Sequence, residues 1–141
     1  MIKVGFKRLH TDAKIPTKGT KGAAGFDVYS PAKFHVEPGL PTVVGMGFSV
    51  EIPEGYCMRV IPRSGIACRG LTITNSPGLI DSDYKGELKV IFQSAVGIFG
   101  FDAGDRVCQI TFEEVIPVEF EVIDELSESD RGEGGLGSTG V

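Results

Sequence analysis

Residues 107–112, Val107-Cys-Gln-Ile-Thr-Phe112, alternate apolar with polar side chains, and Leu88-Lys-Val-Ile-Phe-Gln93 has nearly the same period. A period near two places the apolar side chains on one face of a strand, whereas a helix requires a period near 3.6. Short runs of this kind recur along the chain, and no segment has a long helical period. The pattern therefore predicts an all-β protein.

We predict strands where such runs are bounded by turn-forming residues: Ile2–Arg8, Thr42–Ile52, Tyr56–Pro62, Leu71–Thr74, Glu87–Ser94, Arg106–Glu113 and Val118–Ile123. Pro38-Gly39, Pro53-Glu-Gly55 and Pro77-Gly78 mark turns between them. The one helix that we expect is short and covers Ser64–Arg69, with Ser64 near its N-cap. Many short strands joined by turns are typical of a jelly roll or a barrel.

Length and charge limit the classes of protein to which the chain can belong. A chain of 141 residues fits one domain, and its net charge of −5 argues against binding nucleic acid by phosphate neutralisation. No apolar run approaches the ~20 residues of a membrane helix, and the N-terminus lacks the apolar region of a signal peptide. Three cysteines at no metal-like spacing fit small thiols in a reducing compartment. We therefore expect a cytoplasmic protein that binds neither membranes nor nucleic acid.

The C-terminal stretch Arg131-Gly-Glu-Gly-Gly-Leu-Gly-Ser-Thr-Gly-Val141 has the composition of a flexible strip that closes over an anion. Glycine frees backbone N–H groups, and these groups, a guanidinium and two hydroxyls can all bind phosphate oxygens. A disordered tail is the alternative, because Gly/Ser-rich ends are usually disordered. The chain turns acidic from about Asp124, so we expect a barrel core at residues 1–123 and a flexible arm at residues 124–141.

Four further stretches are too polar or too glycine-rich for the strand pattern: Gly22-Ala-Ala-Gly-Phe-Asp-Val-Tyr29, Pro62-Arg-Ser-Gly-Ile-Ala67, Asn75-Ser-Pro-Gly-Leu-Ile-Asp-Ser-Asp-Tyr-Lys-Gly86 and Gly104-Asp-Arg-Val-Cys-Gln109. The second opens the short helix with a guanidinium, a hydroxyl and a glycine, which favours an anion. Each stretch also has a structural interpretation. Asp27 could cap a turn, Asp81 and Asp83 could lie on a solvated hairpin, and Arg63 and Arg106 could form surface ion pairs.

Taken in order, the segments AGFD, PRSG, GLIDSDYKGE, GDRVCQ and RGEGGLGSTG resemble the five motifs of the homotrimeric deoxyuridine triphosphatase (dUTPase) family. The resemblance runs from about Gly22 to the C-terminus. It implies a β-jelly-roll (β-clip) trimer whose glycine-rich C-terminal motif closes as a lid on a neighbouring subunit's active site. It also implies Mg²⁺-assisted hydrolysis of dUTP to dUMP and pyrophosphate. This reaction keeps uracil out of DNA and supplies dUMP for thymidylate synthesis.

The resemblance implies roles for the residues of the third motif and its surroundings. Asp81 would hold and activate the water that attacks the α-phosphorus, and Tyr84 would pack its ring on the deoxyribose. The groups that would enclose uracil are Asn75, the hairpin backbone at Gly78, Leu79 and Ile80, and Lys89. Main-chain groups can match the uracil edge and mismatch the cytosine edge.

The remaining motifs would bind the phosphates. Ser64, Gly65 and Gln109 would contact them, and Arg63 would brace the site by pairing with Asp27. Mg²⁺ would be coordinated by oxygens of the triphosphate and would contact Asp27 only through water, so we expect no protein residue to bind the metal directly. The tail residues expected at the nucleotide are Arg131, Leu136, Gly137, Ser138 and Thr139, of which Leu136 stands where the family usually has an aromatic residue that stacks on uracil.

Two other functions remain open from the sequence. The first is a dCTP deaminase of the same fold, which needs an acid placed to activate water at C4 of the base. The second is a non-hydrolytic protein that uses the nucleotide as a switch. The Asp81-Ser-Asp-Tyr84 stretch and the short tail favour the triphosphatase over the deaminase, and the intact Asp81 argues against the regulator.

Overall fold

The computed structural model describes residues 1–136, in which eleven strands and one short helix are formed. These elements are β1 (Gly5–Arg8), β2 (Phe26–Tyr29), β3 (Phe34–Val36), β4 (Thr42–Gly45), β5 (Phe48–Glu51), β6 (Tyr56–Ile61), α1 (Ser64–Ala67), β7 (Leu71–Ile73), β8 (Gly78–Ile80), β9 (Lys89–Ser94), β10 (Phe99–Phe101) and β11 (Arg106–Glu114). The prediction of an all-β chain with one short helix after the PRSG motif is confirmed. No helix in this part of the chain is long and apolar enough to cross a membrane.

The strands form four sheets, and all paired strands within them are antiparallel. The largest sheet has the order β2-β11-β6-β8, and a second has the order β4-β9-β7. Two further sheets are the pairs β1-β5 and β10-β3, and within residues 1–136 no sheet closes on itself as a hydrogen-bonded ring. The four-stranded sheet matters most for function because it carries parts of three of the predicted motifs.

Apolar side chains from all four sheets meet in one core. In β9 the buried residues Val90, Phe92 and Ser94 alternate with more exposed ones, as the period of two predicts. The ring of Phe34 stacks against both Phe92 and Phe101, with centroid distances of 5.7 and 4.9 Å. Such offset aromatic pairs add to the stabilisation that burial alone provides.

The strand that we predicted over Thr42–Ile52 is in fact two strands that belong to different sheets. The chain turns at Gly47, whose φ is +72°, and a Cβ there would lie 2.8 Å from the Cβ of His10. The carbonyl of Gly47 accepts hydrogen bonds from the N–H groups of Leu9 and His10 at 2.8 and 2.9 Å. Because only glycine adopts this backbone conformation without strain, Gly47 fixes the corner between β4 and β5.

One other local prediction is wrong. Residues 118–123 form no strand in the structure, and their alternating side chains are exposed. Ser64 lies next to the N-cap of α1, as predicted; the N-cap itself is Arg63, and no side chain makes the capping hydrogen bond. The last strand, β11, ends at Glu114, and residues 115–133 are all exposed.

Candidate active site

Asp27 is the only charged side chain among the buried residues of the described chain, with 3% of its surface exposed. Arg63 Nε donates to Asp27 Oδ1 at 3.1 Å, and Gln109 Nε2 donates to the same oxygen at 3.2 Å. Arg106 Nη1 lies 3.5 Å from Asp27 Oδ2, and Arg63 Nη1 donates to the carbonyl of Arg106 at 3.2 Å. We call these four residues the Asp27 cluster.

Strand register explains why three separate motifs meet at this point. Asp27 of β2 lies opposite Gln109 of β11, and Gln109 lies opposite Ile61 of β6, just before Arg63. Gly25 allows β2 to approach β11, because a Cβ at Gly25 would lie 3.3 Å from the carbonyl oxygen of Ile110. The predicted pairing of Arg63 with Asp27 is present, and Gln109 belongs to the same group.

The Asp27 cluster carries an excess of positive charge, since two guanidiniums face one carboxylate. The side chains of Arg63 and Arg106 are 27% and 51% exposed, so part of each guanidinium reaches solvent. The chain as a whole has a net charge of −5 and repels anions, so an anionic ligand needs a local excess of positive charge such as this one. The arrangement can attract phosphate oxygens while Asp27 holds the guanidiniums in place.

The neighbouring Cys108 is not suited to nucleophilic catalysis. It is buried, and the pKa of its thiol is raised to about 12, first by burial and second by the nearby Asp27, with Arg63 acting in the opposite direction. The thiol therefore stays protonated at neutral pH, and the thiolate is the form that attacks.

The first two residues of α1, Ser64 and Gly65, are exposed beside this cluster. The Arg63 carbonyl accepts the N–H groups of Ile66 and Ala67 at 3.0 Å each, which begins the helix. The N–H groups of the first helical residues have no partner within a helix and can bind an anion. Apart from its chain neighbours and the backbone of α1, no described atom lies within 4 Å of the position that a Cβ of Gly65 would take, so a ligand can approach the backbone closely.

The third motif, residues 75–86, forms strand β8 and leads into β9. The hairpin expected from the sequence has no paired arms of its own, because β8 pairs with β6 while β7 pairs with β9; we keep the word hairpin for residues 75–86. Its strand β8 pairs with β6 through Val60↔Gly78 and Met58↔Ile80, while Leu79 and Asn75 are exposed. The Asn75 amide lies over buried Gly78, where a Cβ would be 3.4 Å from Asn75 Nδ2. Since β8 is an edge of the sheet, its outer backbone groups are free to bind a ligand.

Asp81 and Tyr84 share the tight turn that follows β8. The Asp81 side chain is exposed and makes no hydrogen bond with the described chain, while its carbonyl accepts the N–H of Tyr84 at 3.2 Å. The Tyr84 hydroxyl donates to the carbonyl of Glu87 at 2.9 Å, and its ring lies over Gly86. Lys89 is exposed at the start of β9. Asp81 also lines a cleft of about 300 Å³ together with Val115 and Pro117.

Within one chain the hairpin and the Asp27 cluster lie apart. Three strand spacings separate β2 from β8, which corresponds to roughly 14 Å across the sheet. Asp81 follows Ile80, which pairs with Met58, whereas Asp27 lies level with Ile61, so the two carboxylates are also offset along the strands. The structure therefore does not bring these two groups together.

The tail residues Arg131 and Leu136 also lie outside both groups. Arg131 is exposed and donates from Nε to the carbonyl of Gly134 at 2.7 Å, within a local turn. Leu136 is exposed and has a φ of +46°. The predicted residues Gly137, Ser138 and Thr139 lie outside the described residues.

Two residues with a clear place in these groups are absent from the predicted site: Arg106 and Glu87. Arg106 contacts Asp27, as described above. Glu87 accepts a hydrogen bond from the N–H of Gly47 at 2.8 Å and carries the carbonyl that holds Tyr84. Both residues lie inside predicted motifs, and this position was the only indication in the sequence that they belong to the site.

The chain belongs to the dUTPase family, since the family model for dUTPase matches residues 11–140. The deoxyuridine 5'-triphosphate nucleotidohydrolase of Nautilia profundicola is 40% identical over 141 residues, which cover 99% of each chain. The enzyme of the same name from Roseobacter denitrificans is 42% identical over 92% of this chain and 89% of its own length. Among solved structures, the Staphylococcus bacteriophage 80alpha dUTPase with dUPNHPP has a TM-score of 0.90 at 27% identity and full coverage of both chains.

Proposed function

We propose that this chain hydrolyses dUTP to dUMP and pyrophosphate through attack of water on the α-phosphorus. The observation that carries the mechanism is Asp81, an exposed carboxylate that makes no side-chain hydrogen bond within residues 1–136, on the same turn as Tyr84. Triphosphate hydrolysis needs positioning, charge neutralisation and one base that orients water. The reaction would keep uracil out of DNA and supply dUMP.

Recognition of the nucleoside follows from the edge position of β8. The free backbone groups of Gly78, Leu79 and Ile80 would pair with the uracil edge, with Asn75 and Lys89 close by. Cytosine presents the opposite donor and acceptor pattern, and leaving buried polar groups unpaired is a strong means of rejection. The Tyr84 ring, held at its hydroxyl, would cover the deoxyribose and leave no room for a 2′-hydroxyl.

The phosphates would bind at the helix start and at the Asp27 cluster. Ser64, Gly65 and Gln109 would contact them there, and the excess positive charge favours the anion. Arg131, Leu136 and the residues that follow would close over the nucleotide, with Arg131, Ser138 and Thr139 on the γ-phosphate.

The residues fit a magnesium ion that arrives with the substrate. Residues 1–136 contain no group of three His, Cys, Asp or Glu side chains that could hold a metal, and Arg63 and Gln109 occupy one oxygen of Asp27. Mg²⁺ commonly binds substrate phosphates and keeps several waters, so Asp27 can meet it through water. When bound, the ion would neutralise the charge that builds on the phosphates.

The active form is proposed to be a homotrimer with shared sites. The separation of Asp81 from the Asp27 cluster within one chain supports this proposal. In a site shared between subunits, Asp81 of one chain would lie near the Asp27 cluster of another. The apolar side chains of Val118, Phe120 and Val122 alternate with acids and are almost fully exposed, at 72%, 96% and 97%. An apolar groove of about 440 Å³ lies along Ile2, Phe26 and their neighbours. Exposed apolar surface of this kind marks an interface, and the arm at 124–141 would extend from it.

A pyrophosphate-release assay with dUTP, dTTP, dCTP and UTP, with and without Mg²⁺, tests the proposal. We expect turnover of dUTP alone, stimulated by Mg²⁺. Release of ammonia from dCTP would instead identify the deaminase. Tight binding of dUTP without turnover would identify a non-hydrolytic regulator.

A further inference from the structure

Glu87 joins the hairpin to the corner between β4 and β5. Its half-buried carboxylate accepts the N–H of Gly47 through Oε1 at 2.8 Å. The same carboxylate lies against Gly45, where a Cβ would come within 2.8 Å of Cδ of Glu87. Gly47 in turn needs its positive φ of +72° to present this N–H. Gly45 and Gly47 therefore form the site at which the Glu87 carboxylate packs and binds.

The backbone of Glu87 holds the ring of Tyr84. The Tyr84 hydroxyl donates to the Glu87 carbonyl at 2.9 Å, and a Cβ on Gly86 would lie 2.5 Å from Tyr84 Oη. The next residue is fixed as well, because the N–H of Leu88 donates to the carbonyl of Phe48 at 2.8 Å. The peptide that orients Tyr84 is thus held by the Glu87 side chain on one side and by β5 on the other.

We propose that Glu87 is a positioning residue that sets the Tyr84 ring and thereby the preference for deoxyribose over ribose. The inference rests on the proposed function, in which Tyr84 covers the sugar. Glu87 itself does not touch the nucleotide in this scheme. Without its carboxylate the hairpin gains freedom at Gly47, and the ring can move aside for a 2′-hydroxyl. Displacements of about 1 Å are large enough to change such steric selection.

The principal experiment measures kcat/KM for dUTP and for UTP in the full chain. We expect Glu87→Ala to reduce the dUTP-to-UTP ratio about tenfold, mainly through improved use of UTP. Glu87→Gln should stay near wild type, since its amide oxygen can still accept the Gly47 N–H. Glu37→Ala is the matched control, because Glu37 is an exposed acid that contacts only the exposed His35, at 3.7 Å, among the charged or titratable groups of the described residues. A simple loss of stability lowers both rates together and leaves the ratio unchanged.

Gly45→Ala provides a second route to the same state. Its new methyl group would collide with the Glu87 carboxylate and displace it, so the ratio should fall as in Glu87→Ala. The double variant should then show no further loss, because both changes break one contact. If Glu87→Ala does not fold in a thermal unfolding scan, Gly45→Ala carries the test. Retention of the wild-type ratio in the folded variants would overturn the inference.

Tyr84→Ala separates this inference from the proposed function. Loss of the sugar preference in Tyr84→Ala, with the preference kept in Glu87→Ala, contradicts only the role of Glu87. If Tyr84→Ala keeps the preference, the proposed contact of Tyr84 with deoxyribose is wrong and the inference falls with it. Loss of the preference in both variants, with Glu87→Gln near wild type, supports the inference.

Discussion

Asp27 and Asp81 are the same residue type in opposite surroundings. Asp27 is buried and contacts two guanidiniums and an amide, whereas Asp81 is exposed and its side chain has no hydrogen-bond partner in the described chain. A buried carboxylate that is fully compensated belongs to the scaffold, because its removal leaves charges unpaired. A general base must instead reach the water whose proton it takes. The surroundings of each acid, more than its identity, indicate its role.

The largest effect is expected for Asp81→Asn. The amide keeps the size of the side chain but cannot accept a proton, so turnover should fall by roughly 10²–10⁴-fold or more. Binding of a non-hydrolysable dUTP analogue, measured by calorimetry, should remain. Asp83→Asn is the control, since Asp83 lies in the same turn. A kcat above about a tenth of wild type would contradict the assignment of the base.

A second test asks whether Asp81 and the C-terminal tail act together across a subunit boundary. A chain with Asp81→Asn and a chain cut after Leu126 should each be inactive alone. Refolded together, they should regain activity if sites combine Asp81 of one subunit with the tail of another. The eighteen residues from Asp124 to Val141 have ample reach at about 3.3 Å per residue. No recovery, together with a monomeric mass in solution, would show that each chain builds its own site.

Asp27→Asn should act first on stability. Loss of the carboxylate charge leaves Arg63 and Arg106 facing each other without compensation. We expect the free energy of unfolding in urea to fall by about 3 kcal/mol, the low end for a broken buried pair, because both arginines reach water. Asp102→Asn removes an exposed ion pair with Lys33 and should change little. If both variants have the same urea midpoint, Asp27 contributes no more to stability than an exposed acid does, and the prediction is wrong.

The pH dependence of stability tests the burial of Cys108, which lies beside Asp27. Burial raises the pKa of Cys108 from 9.0 to about 12. As the pH rises, the thiol loses its proton in the unfolded state before it does so in the folded state. The contribution of Cys108 to the free energy of unfolding is therefore constant below about pH 9, and stability falls as the pH rises toward 12. In this window the wild type should lose up to about 1.4 kcal/mol per pH unit more than Cys108→Ala. Parallel curves for the two proteins would show that the thiol is not buried in solution.

The smallest effect is expected at Leu136, which is exposed like Asp81. An aromatic ring on a base is worth about 1–3 kcal/mol, and leucine already supplies part of the apolar cover. Leu136→Phe should therefore lower KM for dUTP by the equivalent of about 1 kcal/mol. Leu126→Phe, at another exposed leucine before the motif, is the control. An unchanged KM would mean that Leu136 does not cover the uracil.

The alternation of side chains sufficed to predict most of the long strands, β6, β9 and β11 among them. It could not distinguish a strand from an extended segment without a partner, which is why Val118–Ile123 was wrongly assigned. It also missed β2, because Phe26–Tyr29 lies in a stretch whose small residues indicated a turn. The strand predicted at Thr42–Ile52 is divided by the positive φ of Gly47. A pattern of apolar and polar residues does not reveal this backbone conformation.

The site was predictable to the extent that it lies within motifs. Pairing of Arg63 with Asp27 followed from the family resemblance, and the structure has it. Arg106 was noted only as a residue that could form a surface ion pair, since nothing in the sequence reveals that β11 lies beside β2. Contacts of this kind depend on strand order, which a single sequence does not contain.

The corner at Gly47 also bears on how the protein comes to fold. One residue there bonds to residues 9 and 10 through its carbonyl and, through its N–H, to Glu87, which lies 40 positions further along the chain. Contacts that are distant in sequence form slowly, because a long loop must first close. A chain still emerging from the ribosome cannot complete this corner until Glu87 has been made, by which time more than half of the polypeptide has been synthesised. We therefore expect the third motif, residues 75–86, to gain its final shape late, after synthesis of most of the sheet that supports it.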